Sequence, residues 1–188
     1  MAIDVLLTHS YHLHFDPKQV RKMQPYPPLA TLYCAAALRE QGFSVAVFDT
    51  MLRDPAEFGD ELRALKPRIV LVYEDDFNFL SKMCLARMRE VCFEMLDQAR
   101  HFGARTIAHG CDATDHTDTY LARGFEYVII GEGETTAIEL IAALCSGRDD
   151  QSIPGTAFLT PSGTQRPGRR ALKTVGAIPS STIAATSR

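Results

Sequence analysis

The sequence predicts an α/β domain in which a parallel sheet of five strands carries helices on both faces. Three observations lead there. Short apolar runs rich in β-branched residues alternate with longer segments of helical periodicity along most of the chain. The helical segments close on glycine or proline, as at Gly42, Pro67, Gly103 and Gly124. The spacing suits βαβ units, because parallel neighbours need a crossover of helix length. With 188 residues the chain can bury a proper core as one domain.

Ile3 to Thr8 is apolar without a helical period and reads as the first strand. His9 to Pro27 reads as a long loop holding His9, Tyr11, His12, His14 and Phe15; structureless loops of this length are often functional. Pro28 suits the first turn of an Ala- and Leu-rich helix, Leu29 to Gln41, which Gly42 stops. Phe43 to Phe48 is a second strand ending at Asp49-Thr50. Asp54 is placed to cap a helix over Pro55 to Leu65, with Phe58, Leu62 and Leu65 on one face. Arg68 to Tyr73 is a third strand, running into Glu74-Asp75-Asp76.

A long helix follows over about Phe79 to Phe102, with Leu80, Met83, Cys84, Met88, Val91, Met95 and Leu96 at helical spacing. Arg105 to Ala108 is a fourth, weaker strand that ends at the turn His109-Gly110-Cys111-Asp112. A polar helix near Thr117 to Arg123 leads to the fifth strand, Glu126 to Ile130. Gly131-Glu132-Gly133-Glu134 then turns into a helix through Ala137 to Leu144. The expected fold is flavodoxin-like and doubly wound, with strand order 2-1-3-4-5, over residues 1–147. Residues 148–164, with Pro161-Ser162-Gly163 as a turn, suggest a small β appendage. Residues 165–188, with Arg166, Arg169, Arg170 and Lys173, read as a basic linker or disordered tail.

Composition excludes several functions. A net charge of −3 gives no case for nucleic acid or an acidic membrane. No apolar run approaches the roughly 18 residues of a membrane span, and Met1-Ala2-Ile3-Asp4 lacks the start of a signal peptide, so a cytoplasmic protein is expected. The five cysteines are an odd number without a Cys-x-x-Cys pair, which fits reduced thiols and gives no iron–sulfur cluster on this chain.

The motifs narrow the chemistry further. A dinucleotide fold carries its glycine fingerprint after the first strand, where this chain has Thr8-His9-Ser10-Tyr11. Gly131-Glu132-Gly133-Glu134 comes after the fifth strand instead. Its carboxylates suit a helix N-terminus but repel a pyrophosphate there. His9, His12 and His14 have no zinc-type spacing and read as loop residues rather than metal ligands. Glu74 to Asp76 read as a solvated turn more readily than as a magnesium site. His109 and Cys111 lie on one turn, whereas a Cys–His couple meets across the fold, so no catalytic pair is assigned. The basic tract lacks the aromatic residues of an RNA-binding strip. Gly110 beyond the fourth strand and Gly131 beyond the fifth leave open backbone on both sides of a slot for a flat or elongated ligand. A bulky residue at Gly133 is expected to close it.

Four stretches resemble one family. Pro27-Pro28-Leu29-Ala30-Thr31-Leu32-Tyr33 through Gly42-Phe43-Ser44-Val45 resembles a P-P-L-G-L-x-Y helix that ends in G-H-x-V. Phe48-Asp49-Thr50 resembles an aspartate-ended second strand, and Ala108 to Thr114 stands where the pattern has G-G-P-H-A-T. Tyr127 to Thr136 resembles D-x-V-V-x-G-E-G-E-x-T, followed by Ile153-Pro154-Gly155 for I-P-G. Together they are similar to the N-terminal cobalamin (B12)-binding domain of B12-dependent radical S-adenosylmethionine (radical SAM) proteins. The anaerobic magnesium-protoporphyrin monomethyl ester cyclases and class B methyltransferases are of this type. The chain departs from the pattern at His109-Gly110-Cys111-Asp112 and at Ala30, and it carries no radical SAM half with a three-cysteine motif.

The resemblance implies a corrin on the carboxyl edge of the sheet, with its nucleotide tail in the slot. Pro28, Leu29, His109, Gly110, Cys111, Gly131, Glu132, Gly133 and Glu134 are the implied cofactor-binding residues. The Asp-x-His-x-x-Gly pattern is absent, so cobalamin without a histidine lower ligand is implied. Such a domain would support methyl transfer or tetrapyrrole cyclisation with a radical SAM domain or partner protein, and have no turnover of its own. The alternative is a flavodoxin-like interaction or regulatory domain without a bound cofactor. A flavin carrier is disfavoured, because the first turn lacks a phosphate loop.

Overall fold

The computed structural model describes residues 2–23, 25–51, 53–75, 85–148 and 150–171. β1 (Val5–Thr8) lies between β2 (Val45–Phe48) and β3 (Ile69–Tyr73). β4 (Arg105–His109) and β5 (Tyr127–Ile129) follow beyond β3, and all these pairings are parallel. This part of the sheet has the expected 2-1-3-4-5 order.

The sheet continues past it. β6 (Thr156–Thr160) pairs antiparallel with β5, and β7 (Gly163–Gln165) pairs antiparallel with β6, so the sheet has seven strands instead of five. The expected separate appendage is thus the sheet's own edge. A bare β5 would leave a row of unpaired backbone groups beside a buried core. β6 satisfies them, and Val128 and its partner Ala157 are both fully buried.

Strand periodicity divides the core between two faces. Val5, Leu7, Ile69 and Leu71 pack with Cys34, Ala35 and Leu38 of α2 (Leu29–Glu40) and with Leu140, Ile141 and Leu144 of α7 (Glu134–Ser146). Their alternating neighbours Leu6 and Val70 pack with Phe58 and Leu62 of α3 (Glu57–Leu65) and with Val91 and Met95 of α4 (Leu85–His101). A parallel sheet covered on both faces needs such continuous apolar strands, which is why each strand reads as a solid hydrophobic run. The part of the long predicted helix before Leu85, with Leu80, Met83 and Cys84, lies outside the described residues, as do Asp76 and residues 172–188. No helix among the described residues is long and apolar enough to cross a membrane.

Local chemistry accounts for the element ends. Asp54 does not cap α3 directly. Its carboxylate accepts from Ala56 N–H at 2.8 Å, while Glu57 reaches back to Asp54 N–H at 2.9 Å, a reciprocal box around the turn that precedes the helix. The stretch His9 to Pro27 is also not structureless. It holds a 3-10 turn, Leu13–Phe15, and α1 (Pro17–Lys22), started by Pro17 and by Asp16, which accepts from Lys18 and Gln19 N–H at 3.1 Å. Two further short helices, α5 (Cys111–Asp115) and α6 (Thr117–Arg123), join β4 to β5.

Candidate functional site

The carboxyl ends of β3, β4 and β5 surround a cleft of about 380 Å³. Its lining includes seven of the nine predicted residues: His109, Gly110, Cys111, Gly131, Glu132, Gly133 and Glu134. The other two stand apart from it. Pro28 is buried at the start of α2, and Leu29 is 56% exposed beside the cleft, where its neighbour Ala30 forms the wall. Tyr73, Thr114 and Asp115 complete the lining. The volume sits near the low end of small-ligand pockets, about 300–1,000 Å³.

Strand register builds the floor. β4 runs one residue further than the sequence suggests, so His109 is its last residue and pairs with Tyr73 on one side and Ile129 on the other. The Tyr73 and His109 rings therefore leave the same face of adjacent strands and stack, with centroids 4.0 Å apart and planes at 19°. His109 Nε2–H donates to the Gly131 carbonyl at 2.9 Å. That bond joins the two turns expected to form the slot. His109 is 5% exposed and Cys111 opens α5, and both line the cleft.

The glycines have different reasons. Gly131 has φ +76° and open space where a Cβ would stand, so its backbone conformation favours glycine. A Cβ on Gly133 would lie 2.5 Å from the Tyr73 hydroxyl and 2.7 Å from the His109 ring. Gly133 is therefore the contact point of the turn with the floor, and a side chain there would press into the protein instead of filling the cleft. Gly133 also N-caps α7, whose first turn carries Glu134. Asp115, Glu132 and Glu134 place three carboxylates, and no Lys or Arg, among the lining residues. Three carboxylates without a cation among them disfavour an anionic group there.

Buttresses stand behind the cleft. Arg89 of α4 grips Asp112 with both arms at 2.6 and 2.7 Å, and Tyr120 donates to the same carboxylate at 2.8 Å. Burial alone would raise the Asp112 carboxyl; these bonds outweigh it and hold it below the ordinary range. Burial and the Asp112 charge push the Tyr120 phenol up. Glu74 accepts from Ser10 N–H at 3.0 Å and its own N–H donates to the His109 carbonyl, which links the loop after β1 to the end of β4. Asp75 is 7% exposed, so the acidic turn is not the solvated surface expected of it.

The histidines of the first loop turn inward. His9 is fully buried, donates from Nε2 to Asp49 at 3.0 Å and meets the Thr50 hydroxyl at Nδ1. His12 is also fully buried; Nδ1–H donates to the Arg53 carbonyl at 2.9 Å, and Nε2 has no hydrogen-bond partner among the described residues. Burial pushes its pKa down to about 4, so the ring is neutral in the folded protein. In the unfolded chain it titrates near 6.5. Stability from this group is therefore complete above about pH 6.5 and lost as pH falls toward 4, where only the unfolded chain binds the proton. In His12→Asn the amide keeps a donor toward the Arg53 carbonyl and does not titrate. Urea titrations at several pH values are expected to show the slope of stability between pH 6.5 and 4 reduced by about one proton, about 1.4 kcal/mol per pH unit. An unchanged slope would remove His12 from this role. Among the described residues, no three His, Cys, Asp or Glu side chains converge as a metal site.

The described part of the basic tract folds back on the body. Arg170 pairs with Glu139 and donates to Thr136, and Arg166 approaches Asp118 at 3.5 Å.

Comparison with known proteins gives one consistent result. No protein-family model matches the sequence, and no curated protein matches it. Solved structures do match. The radical S-adenosylmethionine methyltransferase TsrM from Kitasatospora setae, with cobalamin and a 4Fe–4S cluster bound, aligns over 93% of this chain with a TM-score of 0.72 and 24% identity. The same enzyme with tryptophan and a SAM analogue aligns over 88%, at 25% identity and a TM-score of 0.71. The cobalamin-dependent radical enzyme OxsB with aqua-cobalamin aligns over 91%, at 16% identity and a TM-score of 0.67. The structural neighbours are thus cobalamin-dependent radical SAM enzymes, and this chain spans 30% of the TsrM chain and 23% of the OxsB chain. The likeness shows that the chain has the fold of one part of those enzymes.

Proposed function

We propose that the chain binds cobalamin on the carboxyl edge of its sheet, with the nucleotide tail in the cleft between the β4 and β5 turns. The observation that supports this most directly is the cleft itself. A fold shared with proteins solved with cobalamin carries, at the ends of its strands, a glycine-walled opening over a stacked Tyr73–His109 floor. Ligands of open α/β sheets bind outside these strand ends.

The residues present fit the group. The base of the tail would enter between the Gly110 and Gly131 backbones, and the phosphodiester would stay away from Asp115, Glu132 and Glu134. Bound cobalamin would supply the organometallic chemistry, and this chain would supply orientation and exclusion of water. His9 and His12 are both buried and turned into the loop, which supports the reading of a lower cobalt face without histidine. Joined to a radical SAM domain or partner protein, in the cytoplasm, the domain would serve methyl transfer or tetrapyrrole cyclisation. No separate turnover is assigned to it.

Purified protein mixed with hydroxocobalamin and desalted is expected to keep corrin absorption bands in a near-stoichiometric ratio. At a ligand concentration about 100 times Kd, binding adds about 2.7 kcal/mol and raises the melting temperature by about 5–11 °C. A colourless protein with an unchanged melting temperature would leave the cofactor-free interaction domain as the better reading.

A further inference from the structure

The ends of three strands meet at one imidazole. His109 closes β4 in register with Tyr73 of β3 and Ile129 of β5, and lies stacked on the Tyr73 ring. Its Nε2–H is committed to the carbonyl of Gly131, the first residue of the opposite wall. Gly133, two residues on, lies so close to both rings that a Cβ would overlap them. The turn 131–134 therefore rests on the His109–Tyr73 pair at two points, one a directed hydrogen bond and the other a close contact.

The geometry points to His109 as the positioning residue of the slot: its bond to Gly131 sets the separation of the two walls, and through it the fit of the cobamide tail. Three features support a positioning role over a ligating or catalytic one. The ring is 5% exposed, so little of it can meet a ligand. The nitrogen that would donate to a ligand is already spent on the protein. Gly131, the acceptor, has φ +76° and no packing where a side chain would stand, so the bond from His109 is a directed hold on that peptide. The backbone carbonyl of His109 accepts from Glu74 N–H at 3.2 Å, and Glu74 in turn holds Ser10, so the latch is anchored to the loop after β1. A turn held at both points has already lost the freedom that binding would otherwise remove, and a preorganised site binds more tightly for that reason.

This inference rests on the cobalamin reading, and the test separates the two. Hydroxocobalamin and aquacobinamide, which lacks the nucleotide tail, are equilibrated by dialysis with wild type, His109→Ala and His109→Gln, and binding is read from corrin absorbance. Wild type is expected to prefer hydroxocobalamin by about tenfold or more, the increment due to the tail. His109→Ala is expected to bring the two ligands within about threefold by weakening hydroxocobalamin alone. His109→Gln, whose amide nitrogen reaches about as far as Nε2, is expected to restore most of the preference. A wild-type preference that survives in His109→Ala overturns the inference, and so does equal weakening of both ligands, the mark of a general structural role. Equal affinity of wild type for both also overturns it, since the tail then lies elsewhere. Wild type that binds neither ligand overturns the cobalamin reading itself.

Discussion

Thr114→Trp is expected to abolish retention of hydroxocobalamin while leaving the fold intact. Thr114 is half-buried on the wall of the cleft, in the last turn of α5, and its side chain belongs to the lining. An indole there takes up much of an opening of about 380 Å³. A ligand that needs the opening then loses its site, and an increase in Kd of at least about a hundredfold, about 2.8 kcal/mol, is expected. The position suits the test because its side chain faces an opening rather than the core. The melting temperature without ligand should stay within about 3 °C of wild type, a change of about 1 kcal/mol. Dialysis against hydroxocobalamin with a parallel thermal melt gives both readings. Wild-type affinity in a folded Thr114→Trp protein would move the tail out of this cleft.

Gly133→Val is expected to act in the opposite way, through the protein before the ligand. The new Cβ starts 2.5 Å from the Tyr73 hydroxyl and 2.7 Å from the His109 ring, and those two side chains are 1% and 5% exposed. Neither ring can rotate away without leaving its partner, so the 131–134 turn must lift or the stack must break. Overpacking of this kind costs about 3 kcal/mol, which lowers the melting temperature of a domain this size by about 6–12 °C. Calorimetry on Gly133→Ala and Gly133→Val should show graded losses. The same change at Gly147, where a Cβ meets open space, should show only the cost of its φ of +67°. Gly133 has an ordinary φ of −97°, so losses there no larger than at Gly147 would mean that the Tyr73–His109 contact does not make residue 133 a glycine.

Much of this was legible in the sequence because the signals are local. The Leu29 helix with Gly42 at its end and the 117–123 helix before Gly124 each announce themselves within a dozen residues, and both occur as expected. Gly110 and Gly131 marked the two walls for the same reason: a tight turn after a buried strand demands permissive backbone. The misses share the opposite property. Extension of β4 to His109 depends on pairing with β3 and β5, which no stretch of β4 reveals. Nothing in Ile153 to Gln165 alone says that its hairpin completes the sheet; the free edge of β5 decides that. The loop 9–27 read as open because its order comes from distant partners, Asp49, Thr50 and the Arg53 carbonyl, each about 40 positions away.

The opening strand pattern and the paired glycine turns, read by themselves, determined a parallel α/β sheet with a slot beyond its fourth and fifth strands. Those features follow from backbone sterics and hydrophobic periodicity, which act between near neighbours. Only the tertiary structure decided what the slot is made of. The stack of Tyr73 on His109, the bond from His109 to Gly131 and the contact that forbids a side chain at Gly133 join two strands to the turn that follows a third. Register brings them within reach, and register is a property of the assembled sheet rather than of any segment in it.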